Sequence, residues 1–190
     1  MFASLGMVIE QAHVHLNLGL ALTGHLGIVL DGAGAGAFAA AENEFVAAKR
    51  LYLQAGHRKG LASTFEGMAE CRTALGRYCS AVQLFEQAMA VYLSIGDLNG
   101  ASGCLIGLGG LWRKAGNADL AADYLRRCIE LYREVNNRAN EAAALIMLGD
   151  TLAKPVGAPE AFKAWRAALD ILEELRLPAV VKVRDRLRAV

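Results

Sequence analysis

The residues with the clearest chemical potential form a glycine-rich run, DGAGAGAFAAAE, at positions 31–42. Glycines at this spacing bind a dinucleotide pyrophosphate when they join a strand to a helix, and a second strand then leads to an acidic residue about 20 positions further on. Here residues 39–54 have the pattern of a helix, and no second strand follows. We therefore interpret the glycines as a loop and predict no cofactor. A nucleotide bound at Gly32–Gly36 is the enzymatic alternative.

Histidine is the next candidate for chemistry, as a metal ligand. His13 and His15 are two positions apart, so on a helix their side chains diverge by about 200° and cannot share a metal ion. His25 and His57 have no partner nearby in the sequence. We therefore predict no metal site.

The cysteines are Cys71, Cys79, Cys104 and Cys128, and no two of them form a CxxC pair. We interpret them as reduced thiols of a cytoplasmic protein that serve as small apolar side chains. No serine or cysteine has an evident base, and no pair of carboxylates stands out. We expect no catalytic residue and no enzymatic activity.

The composition favours a helical chain with a hydrophobic core. Of the 190 residues, 55% are hydrophobic, 7% are aromatic and only 3 are proline, which suits helices better than sandwiches or barrels. The 20 basic and 19 acidic side chains leave a net charge of +1, which gives no overall attraction to nucleic acid or to an anionic membrane. The N-terminus lacks a basic leader, and the apolar residues 16–30 are too few for the roughly 20 that span a bilayer.

Small and apolar residues recur every 40 positions, which indicates an internal repeat. The recurring columns are Ala41, Ala81, Ala121 and Ala161; Phe45, Phe85, Leu125 and Trp165; Ala48, Ala88, Cys128 and Ala168; Gly36, Gly76 and Gly116, with Gly157 displaced by one; and Ala69, Gly109 and Gly149. Each period predicts two amphipathic helices around a short turn, at about 101–115 and 119–135 in the third unit. Gly116 should end the first of these helices in the left-handed conformation. Gly109 should let the second helix approach closely.

This pattern resembles the tetratricopeptide repeat. The residues that carry the resemblance are Leu108, Gly109, Trp112, Gly116, Ala121, Leu125 and Cys128, with equivalents in the neighbouring units. The period is longer than the basic period of that family, which is about 34 residues, and is similar to a longer-helix subtype with a turn such as Gly96-Asp97 between units. The resemblance covers about residues 36–175. It implies an all-α fold, a right-handed superhelix built as a solenoid of helical hairpins, and a concave groove that binds a protein or peptide.

The two ends of the chain depart from the repeat. We expect residues 1–36 to form an irregular first unit, with a helix or helices and a Gly/Ala loop. Residues 37–177 should form the hairpin array, so that the whole chain contains about four hairpins. Residues 178–190 should form a capping helix that closes the last apolar face. Its basic residues are expected to face outward, and they are Lys182, Arg184, Arg186 and Arg188.

The first helix of the third unit carries Gly100, Gly103, Gly107 and Gly110 on one face, and each costs about 1 kcal/mol of helix stability relative to alanine. A bare backbone stripe admits a partner's helix or extended segment. The alternative is that these glycines, and their second-unit equivalents such as Gly60 and Gly67, only let neighbouring helices pack closely. The predicted partner-binding groove consists of Glu66, Glu70, Gly103, Gly107, Gly110, Arg113, Met147 and Asp150.

The function that follows from the resemblance is that of a non-enzymatic scaffold or adaptor in the cytoplasm. Its partner would be a protein or peptide, with no nucleic acid and no membrane, and self-association stays open. A different class also stays open, in which the chain is the sensory or autoinhibitory portion of a larger signal-responsive regulator. A catalytic or DNA-binding domain encoded beside the chain would favour that alternative.

Overall fold

The computed structural model describes residues 2–23, 35–153 and 159–188, and these residues form nine helices and no strand. The helices are α1 (Phe2–Leu22), α2 (Ala35–Ala55), α3 (Arg58–Ala74), α4 (Tyr78–Ser94), α5 (Leu98–Lys114), α6 (Ala118–Glu134), α7 (Arg138–Leu152), α8 (Pro159–Glu174) and α9 (Val180–Arg188). Consecutive helices pair as hairpins, from α1 with α2 to α7 with α8. The predicted all-α fold of helical hairpins is therefore confirmed.

The chain divides into two compact units, Met1–Cys104 and Leu105–Val190, and the division falls within α5. In unit 1, α2 packs on α1, and α3 packs on both α2 and α4. In unit 2, α7 packs on α6 and α8, and α9 packs on α8. Each helix of a unit is therefore held by helices close to it in the sequence.

The recurring columns of small and apolar residues lie in the cores of the two units. All members of the Ala41, Phe45 and Ala48 columns are buried. The glycine column explains how closely the paired helices approach. A Cβ at Gly109 would lie 2.9 Å from Leu125 Cγ, and a Cβ at Gly19 would lie 2.6 Å from the ring of Phe45. At both positions a Cβ would lie closer to the facing side chain than van der Waals contact allows, which confirms the predicted role of Gly109.

The turns between hairpins recur with the same period as the core columns. The residues in the left-handed conformation there are Gly56, Gly96, Asn136 and Arg176, with φ of 65°, 72°, 52° and 53°. Glycine and asparagine adopt this conformation readily, whereas arginine does so at a cost. The predicted turn at Gly96 is therefore present, and Arg176, within the predicted array, is a turn residue that the sequence pattern did not single out.

Turns within the hairpins are made by Gly76 and Gly116, with φ of 73° and 83°. Gly116 ends α5 as predicted. Gly36 was placed in the same column, but it lies inside α2 and ends no helix. Of the expected Gly/Ala loop at residues 31–36, residues 31–34 lie outside the described residues and the last two belong to α2. The displaced Gly157 also lies outside the described residues. Within the described ranges, no helix has both the length and the hydrophobicity needed to cross a bilayer.

Candidate functional site

Three of the glycines expected on an open face instead pack against aromatic rings. The rings of Tyr52 and Tyr92 occupy the space that a Cβ at Gly60 and Gly100, respectively, would need. A Cβ at Gly67 would lie 2.6 Å from the ring of Phe45. For these positions the alternative interpretation holds, because the glycines allow neighbouring helices to pack closely.

Gly60 and Gly100 lie beside the starts of α3 and α5. His57 Nδ1 accepts a hydrogen bond from the backbone N–H of Gly60 (3.0 Å), and Asp97 Oδ1 accepts one from that of Gly100 (2.9 Å). Each first helix thus begins with a side-chain cap next to a buried tyrosine of the preceding helix. Gly60 and Gly100 are therefore part of the structural repeat and are not binding positions.

Gly103, Gly107 and Gly110 of α5 are half-buried. In unit 1, a Cβ at Gly103 would lie 3.0 Å from Glu66 Oε1, so the glycine makes room for that carboxylate. Among the described residues of unit 2, and apart from the backbone of α5 itself and the two residues next to Gly110, no atom lies within 4 Å of the Cβ position of Gly110. Gly110 therefore has open space beside its backbone.

Glu66 and Glu70 lie one turn apart on α3, and both are half-buried. The hydroxyl of Tyr92 donates a hydrogen bond to Glu66 Oε2 (3.1 Å) and lies 2.9 Å from Ser63 Oγ. Burial raises the pKa of Glu66, and the bond from Tyr92 opposes part of that rise. Burial and the charge of Glu66 raise the pKa of Glu70 to about 8. Near neutral pH, Glu70 is therefore largely protonated and gains its charge most easily beside a cation.

Asp150 of unit 2 was predicted to face a partner, but it is engaged within its own unit. Oδ1 accepts hydrogen bonds from Arg186 Nε (2.7 Å) and Trp165 Nε1 (3.0 Å), and Oδ2 accepts one from Arg186 Nη2 (2.9 Å). Arg184 likewise donates to Glu173 Oε1 (2.7 Å). The arginines Arg184 and Arg186, expected to face outward, therefore fix α9 to α7 and α8. The carboxylate of Asp150 is thus occupied by contacts within unit 2.

Two other predicted site residues lie in unit 2. Arg113, near the end of α5, is exposed, and Met147 on α7 is half-buried. Gly107 and Gly110 carry no side chain, and Arg113 follows Gly110 by three positions on the same helix. Unit 1 has an acidic inner face, made by Glu66 and Glu70 beside Gly103.

His57, which has no partner nearby in the sequence, has two in the structure. The rings of His13 and Tyr52 lie 5.7 Å and 5.3 Å from that of His57, and 5.5 Å from each other, between centroids. The hydroxyl of Tyr52 is buried and makes no hydrogen bond within the described part of the chain, and burial raises its pKa to about 12. His13 lies on α1 and His57 caps the start of α3, so no local pattern could pair them. The described residues hold no group of three or more His, Cys, Asp or Glu side chains that could bind a metal, and His25 lies outside them.

Cys71, Cys104 and Cys128 are buried, whereas Cys79 is exposed, and none of these four described cysteines forms a disulfide. Burial raises the pKa of Cys71 and of Cys128 to about 12, and it raises that of Cys104 as well. Thiols held in this form are poor nucleophiles. The three buried cysteines act as the small apolar side chains that were predicted.

A surface cavity of about 490 Å³ in unit 2 was not anticipated. Leu145, Leu148 and Leu152 of α7 give it an apolar floor, and Arg126 of α6 pairs with Glu160 of α8 (3.1 Å) at its edge. It forms where three helices meet. The repeat pattern contains no signal for it, because the columns record only the tight contacts.

Comparison with known proteins supports the fold and nothing finer. No protein-family model matches the chain, and no curated protein does. The crystal structure of BtubC (BKLC) from P. vanneervenii matches with a TM-score of 0.63 and 17% identity, covering 97% of this chain and 82% of that one. The apo form of RapI matches with a TM-score of 0.68 and 13% identity, covering 98% of this chain and 59% of RapI. Both likenesses show that the chain has a helical repeat fold.

Proposed function

We propose that this chain is a non-enzymatic scaffold that binds a protein or peptide segment on the inner faces of its first helices. The observation that carries the proposal is a register of residues that the hairpin packing leaves incompletely covered. Positions 66, 106 and 146 are half-buried in the first helices α3, α5 and α7, as are positions 70 and 110 one turn further on. Solenoid proteins use such repeated faces for binding.

The side chains on each inner face indicate which kind of segment it would bind. In unit 1, Glu66 and Glu70 favour a segment that carries a lysine, an arginine or a free amino group. Docking of a cation would favour the ionised form of Glu70, and would therefore release a proton near neutral pH. In unit 2, the open backbone at Gly110 beside the exposed Arg113 favours the close approach of an extended segment or helix.

We also propose that the chain is a tetratricopeptide-like repeat of the 40-residue subtype. The left-handed turn residues at Gly56, Gly96, Asn136 and Arg176, each one full period after the last, support this assignment. A side-chain cap at the start of the helix that follows each of Gly56, Gly96 and Asn136 supports it as well. The matches to helical repeat structures such as RapI are compatible with it, at the level of the fold.

Affinity capture with the intact chain, followed by mass spectrometry, tests the function. The informative comparison is between the wild type and Gly110→Leu, which places a side chain in open space. A protein captured by the wild type and lost with Gly110→Leu, at an unchanged or higher melting temperature, would support the proposal. Binding that survives both Gly110→Leu and Glu70→Gln would contradict it. A melting shift on addition of a dinucleotide would instead favour the enzymatic alternative.

A further inference from the structure

The N-terminal helix α1 has one apolar face that no described residue covers. Met7, Val14 and Leu18 are 62%, 65% and 47% exposed, and they lie on one side of the helix with Gln11 between them. The opposite side, with Ala12 and Leu16, is buried, and α1 packs there on α2. A helix that is apolar on both sides is stable in water only when both sides are covered.

The equivalent face of every later first helix is buried. Gly19 corresponds to Gly109, because each receives a large side chain of the following helix. Val14 corresponds to Cys104 of α5, because each lies five positions before its glycine. Leu18 corresponds to Leu108, because each lies one position before it. The residues at these two positions in later units are all buried: Cys104, Leu108, Ala144, Leu148, Thr64 and Met68.

The exposed face of α1 therefore has the composition of a hairpin-to-hairpin contact. In unit 1 the next first helix, α3, packs on α2 and α1, the hairpin that precedes it. Helix α1 has no such hairpin among the described residues. The face continues the interface that holds the repeat together, so the occupant that fits it is another helix with an apolar stripe.

We propose that this occupant is α1 of a second copy of the chain. The exposed residues 7, 11, 14 and 18 alternate in steps of four and three, which is the spacing of a two-helix seam. Glu10 is the only Asp, Glu, Lys or Arg in α1, so two copies do not repel each other and a highly charged partner would find no complement. The single polar seam residue, Gln11, can hydrogen-bond its counterpart and thereby specify the pairing.

Helix α9 already occupies the side of α8 on which another copy could stack. Helix α9 covers α8, with Val183 buried and with Arg184 and Arg186 bonded to acids of α8 and α7. The side of α8 on which α9 packs is therefore not available to the α1 of another copy. A contact of α1 with α1 is self-complementary and closes as a two-fold dimer.

Sedimentation of the intact chain, over a dilution series and with reductant to keep Cys79 free, tests the proposal. We expect a reversible monomer–dimer equilibrium. Val14→Glu places a charge in the seam and should weaken the dimer by at least about tenfold. Leu53→Glu, at a position of α2 that is 57% exposed, is the matched control and should leave the equilibrium unchanged.

Since Val14 is exposed, its substitution should not alter the melting temperature extrapolated to low concentration. A chain that stays monomeric throughout the series overturns the proposal. So does a dimer that Val14→Glu and Leu18→Glu leave unaffected, and so do assemblies that grow beyond two copies. The result does not depend on the inner faces, because Gly110→Leu and Glu70→Gln leave α1 unchanged.

Discussion

Arg186 of α9 holds Asp150 of α7 through two hydrogen bonds, from Nε to Oδ1 at 2.7 Å and from Nη2 to Oδ2 at 2.9 Å. Bidentate pairs of this kind are stronger than single ion pairs. Asp150 also accepts a hydrogen bond from Trp165 of α8. One carboxylate therefore connects three helices of unit 2.

Arg186→Ala should lower the free energy of unfolding by about 1 kcal/mol, because it removes this pair from a partly exposed position. The matched control is Arg188→Ala. Arg188 Nη1 lies 3.8 Å from Asp185 Oδ1, and both side chains are largely exposed. Loss of this ion pair should therefore leave the free energy of unfolding almost unchanged. Urea unfolding of the two variants measures the difference. Equal losses in the free energy of unfolding would show that the Arg186–Asp150 pair stabilises the chain no more than the exposed Arg188–Asp185 pair does.

Ending the chain after Pro178 should expose the side of α8 that α9 covers, which includes the buried Leu169. An uncovered repeat end is adhesive. We therefore expect a lower melting temperature and assemblies that grow with concentration, measured by light scattering. A shortened chain with the stability and mass of the intact one would show that α9 is an appendage.

The adjacent glycines Gly109 and Gly110 should respond to leucine in opposite ways. Gly109→Leu would drive a side chain into Leu125 Cγ, 2.9 Å from the Cβ position, and should cost about 1–3 kcal/mol of stability. Gly110→Leu enters open space and should gain up to about 1 kcal/mol from helix propensity. Circular-dichroism melts of both variants make the comparison. A marked loss of stability with Gly110→Leu would contradict the open inner face in unit 2.

Glu70 should make stability depend on pH. Burial raises its folded-state pKa to about 8, whereas an unfolded glutamate has a pKa of about 4.3. The contribution of Glu70 to stability is thus fully present below the lower value and is lost as pH rises through the higher one.

Glu70→Gln cannot ionise, so its stability relative to the wild type should increase between pH 5 and pH 9, by the order of a few kcal/mol. Glu130→Gln, at an exposed position of α6, is the control substitution. Melting temperatures across that pH range give the result. Parallel profiles for the wild type and Glu70→Gln would contradict the burial of this carboxyl group.

Ala121 and Cys79 distinguish a core column from a surface position. Ala121 is fully buried, so Ala121→Leu should overpack the α5–α6 pair and cost roughly 1–3 kcal/mol. Cys79→Ser, at an exposed thiol, should change stability by less than about 0.5 kcal/mol. Similar losses for both variants would contradict the column assignment.

The sequence predicted the hairpins well because close helix packing repeats with the period of the chain. Ala121 and Gly109 recur as small residues, and in the structure they lie where two helices meet. It predicted the inner face poorly, because the sequence does not show whether an aromatic ring or open space lies opposite a glycine. Gly100 and Gly110 differ only in what lies opposite, and only Gly100 faces Tyr92.

The packing role of Gly60 and Gly100 has a signal in the sequence, which is a column of tyrosines. Tyr52, Tyr92 and Tyr132 recur with the period of the repeat, and each precedes a helix cap by five positions. Recognition of this column would have assigned Gly60 and Gly100 to packing. The pairing of Asp150 with Arg186 had no such signal, since the two side chains belong to helices that meet only in the folded chain.

The packing of each helix on its neighbours in the sequence has a consequence for how the chain folds. Nearly all helix contacts within each unit join helices that are consecutive, such as α3 with α4 and α7 with α8. Little loop-closure entropy must then be lost before a contact forms, which is the condition for rapid folding. Because a hairpin can form or open beside an intact neighbour, amide hydrogen exchange should reveal opening in hairpin-sized steps in place of one global transition.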